Sequence, residues 1–410
     1  MNEVLTSNLY EIIKCEVCNS EELTPVLSLG AHPLCDDLIE IGSPNVCTEY
    51  PIDILFCKNC STAHQRYQIK KKTLFPENYH YRSRLTGDVI NGMKDLVLDY
   101  KNKYGNLSGR KILDVGCNDG SLLDIFKDEG CDLTIGVEPT GAANDAKNKG
   151  HKIYQSYFDM ETANTLNVEF GSLDLIVFTN VFAHIEDLAT LVDALKILIN
   201  ENTIIVIENH YLGSILNKLQ FDTFYHEHPR SYSLKSFKYI SENLGLKLLD
   251  VKFPSRYGGN IRITLGLSNL EACKVVNIDE EDFLEKFTLM NKYMNEWRLK
   301  SIIKINNLVK KYGKLPAKAF PGRAAIILKL LELNECSISG IHEKPGSMKI
   351  GHFAPGTRIP IVSDDDLDLN STIPILNMAW HIPSEIKRYL ADIGYKGEIL
   401  NVFDPADYTN

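Results

Sequence analysis

Nowhere does this chain hold the ~20 consecutive apolar residues that a membrane span requires. The opening stretch, MNEVLTSNLYEIIKCEVC, lacks a basic segment leading into an apolar core, so no secretion signal is expected. The expectation is a cytoplasmic protein with no membrane partner. Positive charge is in deficit too: 44 Lys and Arg face 54 Asp and Glu, a net charge of −10. That balance disfavours attraction to phosphates, and no nucleic-acid polymer is expected as a partner. Low-complexity tracts and tandem repeats are also missing. In a chain without a secretion signal, ten cysteines are better read as metal ligands and core thiols than as disulfides.

What is present is a globular composition, 44% hydrophobic and 24% charged, over 410 residues, enough for two or three domains. Residues 1–75 combine Cys, Pro and short apolar runs with little helical period. They predict a small metal-organised module with a strand around Ile52–Phe56. A helical pattern follows through Val89–Tyr100. From Lys111 onward, apolar strands (KILDVG, DLTIGVEP, LDLIVFTNV, TIIVIEN) alternate with helices. This predicts a parallel sheet covered on both faces, with NIRITLG as its last strand. The charged amphipathic stretch 280–312 predicts a connecting helix into a second α/β unit.

Two cysteine pairs, Cys15-x-x-Cys18 and Cys57-x-x-Cys60, have the spacing of a tetrahedral zinc site. With all four positions filled by thiolates, such a metal is structural, with no opening for water or substrate. Four buried or redox-active thiols are the competing reading. The turn Asp114-Val115-Gly116-Cys117-Asn118-Asp119-Gly120 lies between a predicted strand and helix. Gly116 and Gly120 let the backbone approach a ligand, and the helix start aims amides at it. Glu138 ends the next strand, where a carboxylate accepts ribose hydroxyls. The GxGxxG fingerprint of dinucleotides is not matched, so S-adenosylmethionine is favoured over NAD, with Asp114, Gly116, Asn118, Gly120 and Glu138 around it. Asn180, at the tip of the fourth strand, is expected near the sulfonium. Asp174 starts that strand and is open to reading as a strand-entry residue.

Phe224-Tyr225-His226-Glu227-His228 places a phenol, a carboxylate and two imidazoles within five positions, after the VIENHYLG strand. Tyr225, Glu227 and, after a bend, His228 are placed to converge as base, orienting carboxylate and hydrogen-bond donor. A second metal site or a hydrogen-bonded loop are the alternatives. His184, in NVFAHIED, sits at the tip of the fourth strand.

Together these residues resemble the sugar C-methyltransferases that act on nucleotide-linked ketosugars. The resemblance runs along almost the whole chain. It takes in the cysteine module, Tyr79-x-Tyr81-x-Ser83, DVGCNDGSLL, VFAHIED, and Tyr225-His226-Glu227-His228 with Tyr232-Ser233. It continues through Gly258-Gly259 with Arg262, and Pro355-Gly356-Thr357 with Ile359-Pro360. The fold it implies is α/β: a zinc-binding module (1–75), a Rossmann-like S-adenosylmethionine methyltransferase domain (76–275), and a C-terminal Rossmann-like α/β domain (276–410) contributing to the sugar-nucleotide site. It also implies a monomer.

The resemblance implies carbon methylation through an enolate, with His228 as base and Glu227 orienting a neighbouring imidazole. Tyr225 and His184 would position the ketosugar or stabilise the enolate oxygen, and Tyr79 or Tyr81 would line the sugar pocket. Gly258, Asn260 and Arg262 are expected to bind substrate. Two turns depart from the family pattern. Tyr257-Gly258-Gly259-Asn260 replaces a His-Gly-Gly-Ser-type turn. Ala317-Lys318-Ala319-Phe320-Pro321-Gly322-Arg323 replaces a glycine-rich Ala-x-x-Lys-Gly-Asn-like turn. Both are expected where sugar or nucleotide is read, which leaves the acceptor open. An O- or N-methyltransferase on a sugar or small metabolite is the alternative function, and it would need no carbon-acid base.

Overall fold

The computed structural model describes residues 8–267 and 278–408. The expected boundary at 275/276 lies outside them. Three sheets are joined by one continuous apolar cluster that runs from Ile52 through Ile207 to Ile341.

The first sheet is antiparallel: β1 (Leu23–Pro33), β2 (Glu49–Cys57) and β3 (Thr62–Gln65). Strand β2 alternates, burying Tyr50, Ile52, Ile54 and Phe56, the period of a half-buried strand. Its fourth strand comes from far away in sequence: Arg230 pairs with His64 and Ser231 with Ala63. The sheet of the N-terminal module is thus completed by the segment directly after Tyr225–His228.

The central sheet holds β4 (Lys111–Val115), β5 (Leu133–Val137), β6 (Lys152–Tyr154), β7 (Leu175–Thr179), β8 (Ile204–His210), β9 (Lys247–Lys252) and β10 (Asn260–Gly266). Their spatial order is β9-β10-β8-β7-β4-β5-β6. Strands β4 to β8 are parallel. The expected last strand, β10, is last in sequence but inserts between β8 and β9, antiparallel to both. Alternate residues serve opposite layers: Leu113, Ile176 and Ile205 join one cluster, and Ile112, Leu175 and Ile204 the other.

A 30-residue helix, α1 (Phe283–Tyr312), follows. It buries Phe283, Phe287, Met290, Met294 and Trp297, a stripe at helical spacing. No described helix is long and apolar enough to cross a membrane. The last sheet contains β11 (Leu315–Lys318), β12 (Ile338–Glu343), β13 (Ile361–Ser363), β14 (Ile375–Asn377) and β15 (Ile399–Asn401). It is parallel, in the order β13-β12-β11-β14-β15. The order reverses between β11 and β14, the position where doubly wound sheets open a ligand crevice at their carboxyl ends.

Candidate functional site

The sulfurs of Cys15, Cys18, Cys57 and Cys60 lie within 4.8 Å of one another. Cys15 and Cys60 are 3.4 Å apart, and Cys18 and Cys57 3.5 Å. Tetrahedral zinc with bonds of about 2.3 Å spaces its sulfurs by roughly 3.8 Å, so the set fits that metal. Supporting donors surround it: His64 Nε2 is 3.3 Å from Cys15 Sγ, and Thr62 Oγ1 3.0 Å from Cys60 Sγ. Behind them, Arg230 Nη1 reaches Glu16 at 2.7 Å, next to Cys15. The same guanidinium donates to the Glu186 carbonyl at 3.3 Å and to the Ile185 carbonyl. The metal module is therefore tied to the residues that follow His184.

The central and last sheets, with loop residues such as Cys35 and Asp36 that follow β1, line one cleft of about 450 Å³. On the core side, Asp114, Gly116, Asn118, Glu138 and Asn180 are at its wall. Gly116 has φ +73°, and a Cβ there would lie 2.4 Å from Val181 Cγ2. Asn118, also at positive φ, donates its backbone N–H to Glu138 Oε2 at 3.0 Å. Glu138 Oε1 accepts from the Thr140 N–H and hydroxyl at 2.9 and 2.6 Å, which points its carboxylate at the turn. Gly120, at φ +76°, starts the helix Ser121–Asp128 rather than lining the cleft. Burial, with Glu138 nearby, holds the Asp114 carboxyl well above its usual range. This cradle, with space only for backbone at Gly116 and an acceptor opposite, fits an adenosyl ligand. Asp174 is at the other end of its strand, where its carboxylate accepts the Lys111 N–H at 2.8 Å, so it is the strand-entry residue.

Across the cleft, Tyr79, Tyr81, His184, Tyr225, Glu227 and His228 come together. A tight bend, with the His228 N–H on the Tyr225 carbonyl at 2.9 Å, swings them to one side. His226 goes the other way, its Nε2 donating to the Tyr50 carbonyl at 3.0 Å. The ring of His228 is 4.2 Å from Tyr225 and 4.8 Å from His184. His228 Nδ1 is 2.9 Å from the Thr223 carbonyl. A carbonyl only accepts, so Nδ1 carries the proton and Nε2 keeps its lone pair. By the same argument His184 donates from Nδ1 to the Glu227 carbonyl at 2.7 Å.

Burial keeps this group uncharged. It lowers His228 well below its ordinary value, helped by His184 and His210, and brings His184 to about 4. It raises Glu227 to about 8, with Asp36 adding to the effect. The expected role of Glu227 is corrected here. Among the described residues its carboxylate partner is the Tyr79 hydroxyl, at 2.9 Å, not an imidazole. Its peptide carbonyl is what orients His184.

The expected substrate residues divide. Tyr79 and Tyr81 line the cleft, whereas Asn260 and Arg262 do not. Both are buried beneath it: Asn260 donates to Glu208 at 3.0 Å and to Asn180 at 3.3 Å, and Arg262 to Glu208 at 2.6 Å and Asp99 at 2.7 Å. The antiparallel register of β10 against β8 sets Arg262 opposite Glu208, and a buried carboxylate demands such partners. Gly258 is also away from the main cleft. Its φ of +84° favours glycine, and a Cβ there would also lie 2.3 Å from Gln220 Oε1.

The departing 317–323 turn does line the cleft, from Lys318 to Arg323. Residues not expected there are His210, Asp36, Lys349 and His381. His210 ends a parallel strand at its carboxyl side, a position that marks ligand sites, so that signal was available. Its ring is 5.3 Å from His228. Nothing local in the sequence announces the others.

Three family models match successive parts of the chain. "Putative zinc binding domain" covers residues 15–75, "Methyltransferase domain" 85–251, and "C-methyltransferase C-terminal domain" 258–402. The C-methyltransferase NovU of Streptomyces niveus is 26% identical over 399 residues, spanning 92% of this chain and 91% of that protein. Among solved structures, the magnesium protoporphyrin IX methyltransferase of Synechocystis PCC 6803 with bound SAH is 16% identical. It covers 44% of this chain and 84% of its own, with TM-score 0.35. A methyltransferase of Clostridium acetobutylicum ATCC 824 is 14% identical, covering 44% and 92%, also with TM-score 0.35.

Proposed function

This chain belongs to the S-adenosylmethionine-dependent C-methyltransferases that carry an N-terminal zinc-binding domain, and we propose that it methylates the carbon beside the ketone of a nucleotide-linked ketosugar. The observation that carries this reading is the state of His228. Its Nδ1 proton is committed to the Thr223 carbonyl, its ring is held neutral, and it lines the same cleft as the glycine turn. O- or N-methylation needs no base for a carbon acid, so the exchange of the C–H beside the ketone separates the two readings.

A carbon bearing hydrogen is a poor nucleophile until it is deprotonated to an enolate. His228 Nε2 takes that proton. The developing oxyanion needs donors already in place. The Tyr225 hydroxyl is one, and the protonated carboxyl of Glu227, braced by Tyr79, is the other. His184, with Nδ1 already donating, faces the sugar as an acceptor for a hydroxyl. S-adenosylmethionine, when bound, supplies the electrophilic methyl. Asp114, Glu138 and the turn from Gly116 hold it against the acceptor face, where proximity and alignment lower the barrier.

The test is mass spectrometry in deuterated water with a panel of nucleotide-linked 4-ketosugars. The expected result is gain of one methyl, and exchange of the hydrogen beside the ketone when donor is withheld. His228→Asn should reduce both about 10²–10⁴-fold while S-adenosylmethionine still binds. Methyl gain without exchange would replace this reading with O- or N-transfer.

A further inference from the structure

Two groups of the C-terminal unit converge on one carboxylate behind the base. Arg323 follows β11. Its Nε donates to Asp222 Oδ2 at 2.9 Å and its Nη2 to Asp222 Oδ1. Trp380, just past β14, donates from Nε1 to the same Oδ2 at 2.8 Å. The guanidinium stacks over that indole, 5.0 Å from the ring centroid. Its Nη1 donates to Gln220 Oε1 at 3.2 Å, and Gln220 Nε2 donates to the Gly258 carbonyl at 3.1 Å. The two turns that depart from the family pattern, 257–260 and 317–323, therefore meet through Gln220 and Arg323.

Asp222 is fully buried in the turn Phe221–Thr223. That turn ends in the carbonyl holding His228 Nδ1. A two-point Arg–carboxylate fork fixes direction as well as charge, and a buried carboxylate stripped of such partners is strongly unfavourable, so the turn must follow the fork. We propose that Arg323 is a positioning residue, which transmits the seating of the C-terminal unit to the tautomer and orientation of His228 through Asp222 and the Thr223 carbonyl. The proposal rests on the reading of His228 as the base. The groups facing His228 are the imidazoles of His184 and His210, the ring of Tyr225 and, as the cation, Arg323. Loss of the cation therefore makes His228 easier to protonate.

The experiment uses the full zinc-loaded chain saturated with S-adenosylmethionine. Histidine nitrogen resonances are followed against pH in the wild type and in Arg323→Met, with no acceptor required. The expected result is that His228 loses its single Nδ1–H tautomer and titrates at higher pH. In turnover, kcat for acceptor C–H exchange should fall at least tenfold, and the acid limb of its pH profile should move up. Acceptor KM should change much less. Zinc content and donor affinity report folding. If Arg323→Met fails those checks, Trp380→Phe, which removes one hydrogen bond to Asp222, should show the same changes at smaller size. Unchanged tautomer and titration in a folded variant would overturn the proposal, as would a raised acceptor KM with kcat and pH profile intact. If the tautomer changes as expected but the wild type exchanges no C–H, the clamp stands and the reading of His228 as base falls.

Discussion

Glu227 shows how much a single residue's surroundings decide. Its carboxyl is pushed up to about 8, first by burial and then by Asp36. A carboxyl whose folded pKa lies above its unfolded value of 4.5 binds its proton more tightly in the folded state. Stability from this source is complete below the unfolded value and is lost as pH rises toward 8. The slope approaches about 1.4 kcal/mol per pH unit for one proton. Glu227→Gln should remove that contribution. Urea midpoints measured between pH 5 and pH 8 should then fall less steeply in the variant than in the wild type. Parallel curves would mean that Glu227 is already ionised when folded. The residue type was legible in the sequence, but its partner was not. That Tyr79, 148 positions away, caps this carboxylate depends on how the cleft closes.

Among the elements, the turn after β4 combines local and distant constraint. Gly116 is required twice, by its φ of +73° and by Val181 against its missing Cβ. Val181 belongs to the turn that presents His184, whose N–H bonds the Val181 carbonyl. Gly116→Ala should therefore cost more than the ~1–2 kcal/mol of left-handed backbone strain, and weaken donor binding about tenfold or more. Gly130 provides the control: φ is +97° but nothing lies within 4 Å of a Cβ. Gly130→Ala should lower the melting temperature and leave calorimetric donor affinity unchanged. Equal donor affinity in both variants would show that the Gly116 turn does not contact the ligand. The strands, helices and this glycine turn were readable because period and turn chemistry are local. The place of β10 was not, since it depends on which edge of β8 was still free.

For the whole molecule, the zinc module and the Tyr225–His228 side of the cleft share one framework. Arg230–Ser231 complete the module's sheet, and Arg230 links Glu16 to the backbone after His184. Structural zinc contributes on the order of 10 kcal/mol to the folding of such a module. Cys57→Ser should abolish stoichiometric zinc and reduce methyl transfer more than tenfold. Donor affinity should change little, because the glycine turn and Glu138 belong to the central sheet. Zinc assay and calorimetry on one preparation check this. Full transfer activity without metal would sever the proposed link.

The sequence by itself determined the α/β alternation, the four-cysteine cluster, the glycine turn facing Glu138, and the composition of the Tyr225–His228 cluster. These depend on spacing within a few residues, where propensity, turn chemistry and ligand geometry act directly. Only the tertiary structure decided that His226 faces the zinc module, that Asn260 and Arg262 brace Glu208 beneath the cleft, and that Arg323 grips Asp222. Each of these is a pairing between segments tens to hundreds of residues apart. A buried charge or donor must find a partner wherever sheet register and domain packing bring one, and no local pattern specifies where that is.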